Sequence, residues 1–148
     1  MSRPVPLKRS DFPVTQPLQT RWSDNDIYGH MNNTVHYQLF DTALNMWLIG
    51  EGLLEPSRSE TIGVVVDTGC SYFAELAYPQ PVLAGLRVER LGRSSVTYRI
   101  ALFGDGETAA AQGHFTQVLV DRKTRRPVPI SDRWRDVLTR ASIPEPCS

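Results

Sequence analysis

Two different spacings of apolar residues divide the chain into extended and helical segments. Residues at every second position share a face over 14–22, with Leu18 and Trp22 on the same side, which predicts a first strand. Residues 34–50 follow helical spacing instead, and predict one long helix that ends at Gly50. Apolar side chains cover roughly 220° of this helix, so we expect a curved sheet to enclose it.

Four further extended segments follow this helix. They span 61–76, 82–91, 96–102 and 107–121. The first begins with Ile62 and a run of valines, which is typical of a buried strand. Ser131 can cap a short C-terminal helix over 131–141, and residues 1–13 are expected to form a loose arm. The order of one strand, one helix and four strands predicts a single α+β domain over 1–148 with an antiparallel sheet.

Composition and charge narrow the function classes. The 148 residues contain 16 Lys plus Arg and 16 Asp plus Glu, so the formal net charge is zero. This balance argues against a partner that is a nucleic acid or a membrane. No apolar run of signal-peptide or transmembrane length occurs, which predicts a cytoplasmic protein. The two cysteines, Cys70 and Cys147, are expected to be free thiols, and the absence of metal-ligand spacings predicts no metal and no cofactor.

The residues with the most chemistry lie in the loop that joins the first strand to the helix. This loop reads Asp24-Asn25-Asp26-Ile27-Tyr28-Gly29-His30-Met31-Asn32-Asn33. The start of a helix presents unpaired backbone N–H groups, which bind anions. An acid held beside such groups suits attack on a carbonyl or a thioester.

This loop and the order of elements resemble the hotdog-fold acyl-CoA thioesterases of the 4-hydroxybenzoyl-CoA thioesterase type. The prolines before Gly85 and the segment Arg126-Pro127-Val128-Pro129 also resemble the family. The resemblance extends from the first strand to Pro129. It implies a hotdog fold, in which an antiparallel β-sheet wraps around one long central α-helix. It also implies hydrolysis of an acyl-CoA to the free acid and CoA.

The resemblance implies roles for residues of the loop. The second acid of the family motif is the catalytic carboxylate and corresponds to Asp26, which would act as nucleophile or as general base. The backbone amide that polarises the thioester oxygen corresponds to Asn33. Gly29, His30 and Asn32 are predicted to bind or orient the substrate, with Gly29 as a backbone requirement and His30 as a second candidate base or an orienting group.

Candidate contacts outside the loop are less specific. Arg87, Arg90 and Arg93 form a basic group whose guanidinium forks suit the phosphates of CoA, although ordinary surface charge explains them equally well. A single hotdog leaves an exposed sheet edge and a half-covered pocket, so we expect a homodimer or homotetramer with the site at a subunit interface. His36 and His114 are interpreted as structural histidines.

Two other functions remain open. A hotdog hydratase or dehydratase would pair Asp26 with His30 to move a proton and water. A non-catalytic acyl-CoA-binding protein would use the same cleft without chemistry. Asp24 is interpreted as a structural acid, and many relatives have small or proline residues where this chain has Ile27-Tyr28, so the acyl group stays open.

Overall fold

Five strands form one antiparallel sheet in the computed structural model, which describes residues 4–142. Their bounds are Val14–Leu18 (β1), Thr61–Tyr72 (β2), Val82–Leu91 (β3), Ser95–Phe103 (β4) and Ala111–Asp121 (β5). The spatial order is β1-β3-β4-β5-β2, so β1 and β2 are the two edges. Two α-helices, α1 at Asn33–Gly50 and α2 at Asp132–Arg140, complete the fold. The predicted α+β class with an antiparallel sheet is confirmed, and the arrangement is consistent with a hotdog fold.

Helix α1 packs on one side of the sheet, which we call the inner face. Phe40 and Leu44 of α1 are fully buried there, and the ring of Phe40 meets that of Phe115 on β5 edge-on at 6.3 Å. Each such side chain contributes about 2 kcal/mol through its removal from water. Gly113 on β5 leaves the space that the Phe40 ring occupies, since a Cβ there would lie 2.7 Å from the ring. The packing therefore fixes α1 against the centre of the sheet.

The other side of α1 is exposed, so the expectation of an enclosed helix is wrong for a single chain. Met46 and Ile49 are each 47% exposed, and the polar Gln38 and Asp41 lie on the open side as well. The apolar arc of the helix is wider than the surface that the sheet of one chain can cover. This leaves apolar surface of α1 in contact with solvent.

Strand β2 is an exposed edge, and the expectation of a buried strand is wrong. Val64, Val65 and Val66 are 39%, 40% and 59% exposed, because β2 pairs with β5 on one side and with no described strand on the other. The register shifts between Val65 and Asp67, so Val66 is the extra residue of a β-bulge. The bulge reverses which side chains face α1, and Tyr72 consequently lies on the inner face.

The N-terminal segment is docked on the outer face of the sheet, so the expectation of a loose arm is wrong from residue 4 onward. Phe12 is 6% exposed and packs edge-on against Phe103 at 5.8 Å, in the space left by Gly85. Lys8 bridges to Thr108 in an antiparallel pairing. One buried aromatic side chain and a few backbone hydrogen bonds hold this segment. The segment has no periodic apolar pattern from which its docking could be predicted. Residues 1–3 lie outside the described part.

The remaining boundaries differ little from the expected ones. Strand β1 ends at Leu18 rather than at residue 22, and Trp22 begins a short 3-10 turn with its side chain 77% exposed. Ser131 caps α2 by accepting a hydrogen bond from the N–H of Trp134 at 3.3 Å. Cys70 is a free thiol, whereas Cys147 lies outside the described residues. No helix within residues 4–142 combines the length and apolarity needed to cross a bilayer.

Candidate active site

The loop between β1 and α1 is closed on itself by backbone hydrogen bonds. The N–H of Asp26 donates to the carbonyl of His30 at 2.8 Å, and the N–H of Gly29 donates to the carbonyl of Asp26 at 3.1 Å. Asn25 and Met31 form an antiparallel bridge at the base of this loop. Gly29 has a φ of 83°, a left-handed value that favours glycine. Glycine is therefore required by the backbone of the loop rather than by any chemistry of its own.

The carboxylate of Asp26 divides its two oxygens between the loop and the cleft beside it. Oδ1 accepts the N–H of Tyr28 at 2.9 Å and, more weakly, the N–H of His30 at 3.5 Å. These bonds form the type of turn that Asp favours, so the side chain is held in place. No residue in 4–142 bonds to Oδ2. One oxygen thus stabilises the loop while the other is available to a ligand.

Asp24 has a different role in the same loop. Its side chain is buried and accepts the backbone N–H of Arg21 at 2.8 Å together with the Arg21 guanidinium at 2.8 Å. Its backbone carbonyl accepts the N–H of Asn32 at 2.9 Å. These bonds tie the beginning of the loop to the start of α1. The predicted structural role for Asp24 agrees with this geometry.

The first turn of α1 leaves one amide available. The Asn32 side chain accepts the N–H of Thr34 at 3.0 Å, and the Asn32 carbonyl accepts the N–H of Val35 at 2.9 Å. The N–H of Asn33 has no partner among the described residues. Asn32 therefore acts as the helix cap, one of the two roles considered for it, and the free donor belongs to Asn33.

Asp26 and Asn33 meet in one cleft of about 440 Å³ between the loop, the first turn of α1 and the segment that follows β2. Its wall consists of Asp26, Tyr28, His30, Met31, Asn33, His36, Tyr72, Phe73, Ala74, Glu75 and Leu76. A carboxylate, a helix-start amide and aromatic side chains thus share one concave surface. Such a surface can hold a polar reacting group together with an apolar chain.

His30 reaches across the cleft to an acid that the sequence did not indicate. Its Nε2 lies 2.9 Å from Oε2 of Glu75, and both side chains are substantially exposed. This contact orients the His30 ring, and both roles predicted for His30, second candidate base and orienting group, stay predictions. Glu75 escaped prediction because it lies in the segment that follows β2, and no spacing in the sequence relates it to His30.

His36 and Tyr72 converge on the carbonyl of Asn33. Tyr72 donates its hydroxyl hydrogen to that oxygen at 2.9 Å, and Nδ1 of His36 lies 3.2 Å from it. The two rings meet edge-on, with centroids 4.8 Å apart. Burial lowers the pKa of His36, which therefore stays neutral near pH 7. Burial, together with the neighbouring Cys70, raises the pKa of Tyr72 to about 12.

A family comparison decides the class of protein that this site belongs to. Residues 20–138 match the model of the thioesterase-like superfamily. The chain belongs to this superfamily. The enzyme class expected from the sequence, a thioester hydrolase, agrees with that membership. No curated protein is significantly similar to the chain in sequence.

Solved structures similar to this thioesterase-like protein cover nearly its whole length. The PA5185 protein of Pseudomonas aeruginosa strain PAO1 is 47% identical, with a TM-score of 0.90 over 93% of this chain and 97% of that one. The PA2801 protein of the same organism, described as a putative thioesterase, is 28% identical, with a TM-score of 0.76 over 83% and 95%. A thioesterase from Thermus thermophilus, complexed with coenzyme A and zinc, is 27% identical, with a TM-score of 0.75 over 90% and 98%.

The arginines expected to bind CoA lie apart from the cleft of this thioesterase-like chain. Arg87 stacks over the ring of Phe12 at 5.5 Å and bonds to Glu89 at 2.9 Å. Burial alone would raise the pKa of Glu89, but hydrogen bonds from Arg99 and Arg87 hold it below its ordinary value. Arg90 and Arg93 are exposed near the end of β3, and neither lines the cleft. A contact of these arginines with CoA stays a prediction.

No metal cluster is formed by the side chains that the structure describes. Within residues 4–142, no three His, Cys, Asp or Glu side chains are grouped closely enough to hold a metal ion.

Proposed function

We propose that the protein is an acyl-CoA thioesterase, which hydrolyses an acyl-CoA to the free acid and CoA. One observation carries the proposal: Oδ2 of Asp26 and the N–H of Asn33 are both uncommitted in the described chain, and both residues line one cleft. Membership of the thioesterase-like superfamily supports the reaction class. The similar Thermus thermophilus thioesterase, which was solved with coenzyme A, supports a CoA thioester as the substrate.

The two groups would act on opposite parts of the thioester carbonyl. The N–H of Asn33 would donate to the carbonyl oxygen as negative charge develops there, and the loss of one such donor costs about 3 kcal/mol of barrier in known cases. Oδ2 of Asp26 would then attack the carbonyl carbon and form an anhydride that water hydrolyses, or it would remove a proton from attacking water. Both routes release CoA and the acid. An acyl group found covalently bound to Asp26 after rapid acid quench early in turnover would identify the anhydride route.

The alternative enzyme class receives less support from the geometry. A hydratase or dehydratase would need His30 to share a substrate with Asp26. The His30 ring instead contacts Glu75 at 2.9 Å. Loss of enoyl absorbance from crotonyl-CoA would nevertheless detect this activity directly. Tight acyl-CoA binding without any release of CoA would favour the non-catalytic alternative.

The decisive experiment compares Asp26→Asn with the unchanged protein on a panel of acyl-CoAs. The panel includes 4-hydroxybenzoyl-CoA, because the loop resembles that type of thioesterase. We expect kcat to fall about 100-fold or more, since positioned acids and bases contribute factors of this size. Asp41→Asn is the matched control, because Asp41 is an exposed acid on α1 that bonds to Asn45. Equal turnover by Asp26→Asn and the unchanged protein would remove Asp26 from the mechanism.

We further propose that the protein forms a homodimer or homotetramer, with the cleft near a subunit interface. The unpaired edge of β2, the exposed valines 64–66 and the apolar surface of α1 support this proposal. Arg90 or Arg93 of either copy could then contact the phosphates of CoA. Val66→Lys should shift the sedimenting species towards the monomer, whereas the exposed Ser57→Lys should leave it unchanged. A monomeric unchanged protein would contradict this proposal while leaving the reaction untouched.

A further inference from the structure

His36 is a buried polar side chain in the wall of the cleft, and the reaction proposed above does not use it. It lies on the first turn of α1, one helical turn after Asn32 and Asn33, and is 3% exposed. A buried imidazole is expected to bond through its nitrogens. The small accessible part of His36 opens towards the cleft that Asp26 also lines.

The contacts of the ring fix which nitrogen carries the hydrogen. Nδ1 lies 3.2 Å from the carbonyl oxygen of Asn33, and a carbonyl oxygen can only accept. Nδ1 must therefore carry the hydrogen and donate it. Since a neutral imidazole has a single N–H, Nε2 is left as an acceptor. No residue in the described range bonds to Nε2.

The orientation of this acceptor is held by two neighbours. The ring of Tyr72 meets that of His36 edge-on, with an interplanar angle of 88°. The Tyr72 hydroxyl donates to the same Asn33 carbonyl that receives the Nδ1 hydrogen. A rotation of the imidazole would break its bond to Asn33 and its packing against Tyr72. The acceptor is thus pre-organised before any ligand arrives.

We propose that Nε2 of His36 positions the water molecule that hydrolyses the acyl group, by accepting one of its two hydrogen bonds. The inference rests on the proposed thioesterase function and deepens it. Oδ2 of Asp26 accepts the other hydrogen when Asp26 acts as general base. The water oxygen then bonds to the carbonyl carbon, the carbon–sulfur bond breaks, and the proton taken by Asp26 passes to the departing CoA sulfur. His36 neither gains nor loses a proton.

The same role applies if Asp26 first forms an anhydride. Attack by Asp26 breaks the carbon–sulfur bond and expels CoA as its thiolate. Water then attacks the acyl carbon, and the bond between that carbon and the Asp26 oxygen breaks. One water proton passes to the CoA sulfur, and the released acid gives the other to solvent. His36 again holds the water through Nε2. The proposed role of His36 is thus the same on both routes.

The test measures steady-state hydrolysis by His36→Phe and His36→Gln. Phe retains a ring that can pack against Tyr72 but has no acceptor, whereas the Gln side chain can return an oxygen near the position of Nε2. We expect His36→Phe to lose about 10- to 100-fold in kcat with little change in KM, and His36→Gln to recover most of that loss. His114→Phe is the control, since His114 bonds to Asp67 and does not line the cleft. A kcat for His36→Phe within about threefold of the unchanged protein would overturn the proposal.

Nitrogen-15 NMR of the unchanged protein provides a readout that needs neither activity nor a variant. We expect the His36 ring to carry its hydrogen on Nδ1, with the unprotonated type of resonance at Nε2. A hydrogen on Nε2 would overturn the proposal, even if His36→Phe fails to fold. If the unchanged protein released no CoA from any thioester, the function proposed above would fail. The tautomer would then decide alone whether His36 offers an acceptor to the cleft.

Discussion

The hydroxyl of Tyr72 donates to the carbonyl oxygen of Asn33 at 2.9 Å, and this bond joins the edge strand β2 to the first turn of α1. The two residues are 39 positions apart in the chain. The bond therefore connects the strand that borders the cleft with the helix start that supplies its free amide. Because the pKa of Tyr72 is raised to about 12, the hydroxyl remains a donor throughout the neutral range.

Tyr72→Phe should lower the free energy of unfolding by about 1 kcal/mol, the usual net contribution of one hydrogen bond. The cost stays moderate because Nδ1 of His36 still contacts the same carbonyl. Urea denaturation at pH 7 measures the change. Tyr28→Phe is the control, since the Tyr28 side chain is 78% exposed, and its stability should equal that of the unchanged protein. An unaltered midpoint for Tyr72→Phe would mean that the bond adds nothing to stability.

Replacement of Gly29 by Ala tests the backbone strain of the loop between β1 and α1. The φ of 83° costs an L-residue about 1 kcal/mol, while the space around the position is open, so strain alone should act. We expect kcat to fall about 10-fold as the loop shifts Asp26. Gly50→Ala at the end of α1 is the matched control, because that position has no left-handed φ and no close neighbour. It should stabilise the protein by about 0.5 kcal/mol, and thermal unfolding of both variants separates the two effects.

Tyr98→Phe should have the opposite effect on stability to Tyr72→Phe. Tyr98 is fully buried on β4, burial raises its pKa, and its hydroxyl has no hydrogen-bond partner among the described residues. Removing this hydroxyl removes a desolvation cost, so we expect stability to stay equal or to rise by up to about 1 kcal/mol. A clear loss of stability in urea would indicate that the hydroxyl is bonded in solution.

His36 should make the free energy of unfolding decrease as the pH falls below neutrality. Burial lowers its pKa in the folded protein below the ordinary value of 6.5. As the pH falls below about 6.5, the unfolded chain takes up a proton that the folded protein refuses, and stability decreases until the folded pKa is reached. His36→Phe lacks this term, so the unchanged protein should lose more stability than the variant between pH 7.5 and 5.5. Equal slopes of unfolding free energy against pH for the unchanged protein and for His36→Phe would contradict this prediction.

The conformation of the loop 24–33 could be predicted from the sequence because its hydrogen bonds are local. Asp26, the glycine turn and the cap at Asn32 are all determined by neighbours within a few positions. His36 was assigned to the structural histidines because helical spacing places it in the apolar arc. Helical spacing cannot show whether His36 packs against apolar side chains or lines a cleft.

Contacts between distant segments escaped prediction for a different reason. Strict alternation along β2 would put the side chains of Ile62 and Tyr72 on the same face of the sheet. The bulge at Val66 puts them on opposite faces instead. A run of valines is typical both of a strand buried inside a sheet and of an edge strand that packs against another subunit. The sequence of β2 therefore cannot distinguish the two. Phe12 anchors the N-terminal segment alone, so no periodicity marked it.

The bulge at Val66 also means that the loop before β2 and the segment Asp67–Tyr72 differ in their tolerance to changes of length. A residue gained or lost before Thr61 falls in a loop, and the phase of the strand stays intact. A residue gained or lost between Asp67 and Tyr72 would turn the phenol away from Asn33, because side chains alternate along a strand. Homologous chains that keep this cleft should therefore vary in length before Thr61 and conserve the residue count from Asp67 to Tyr72.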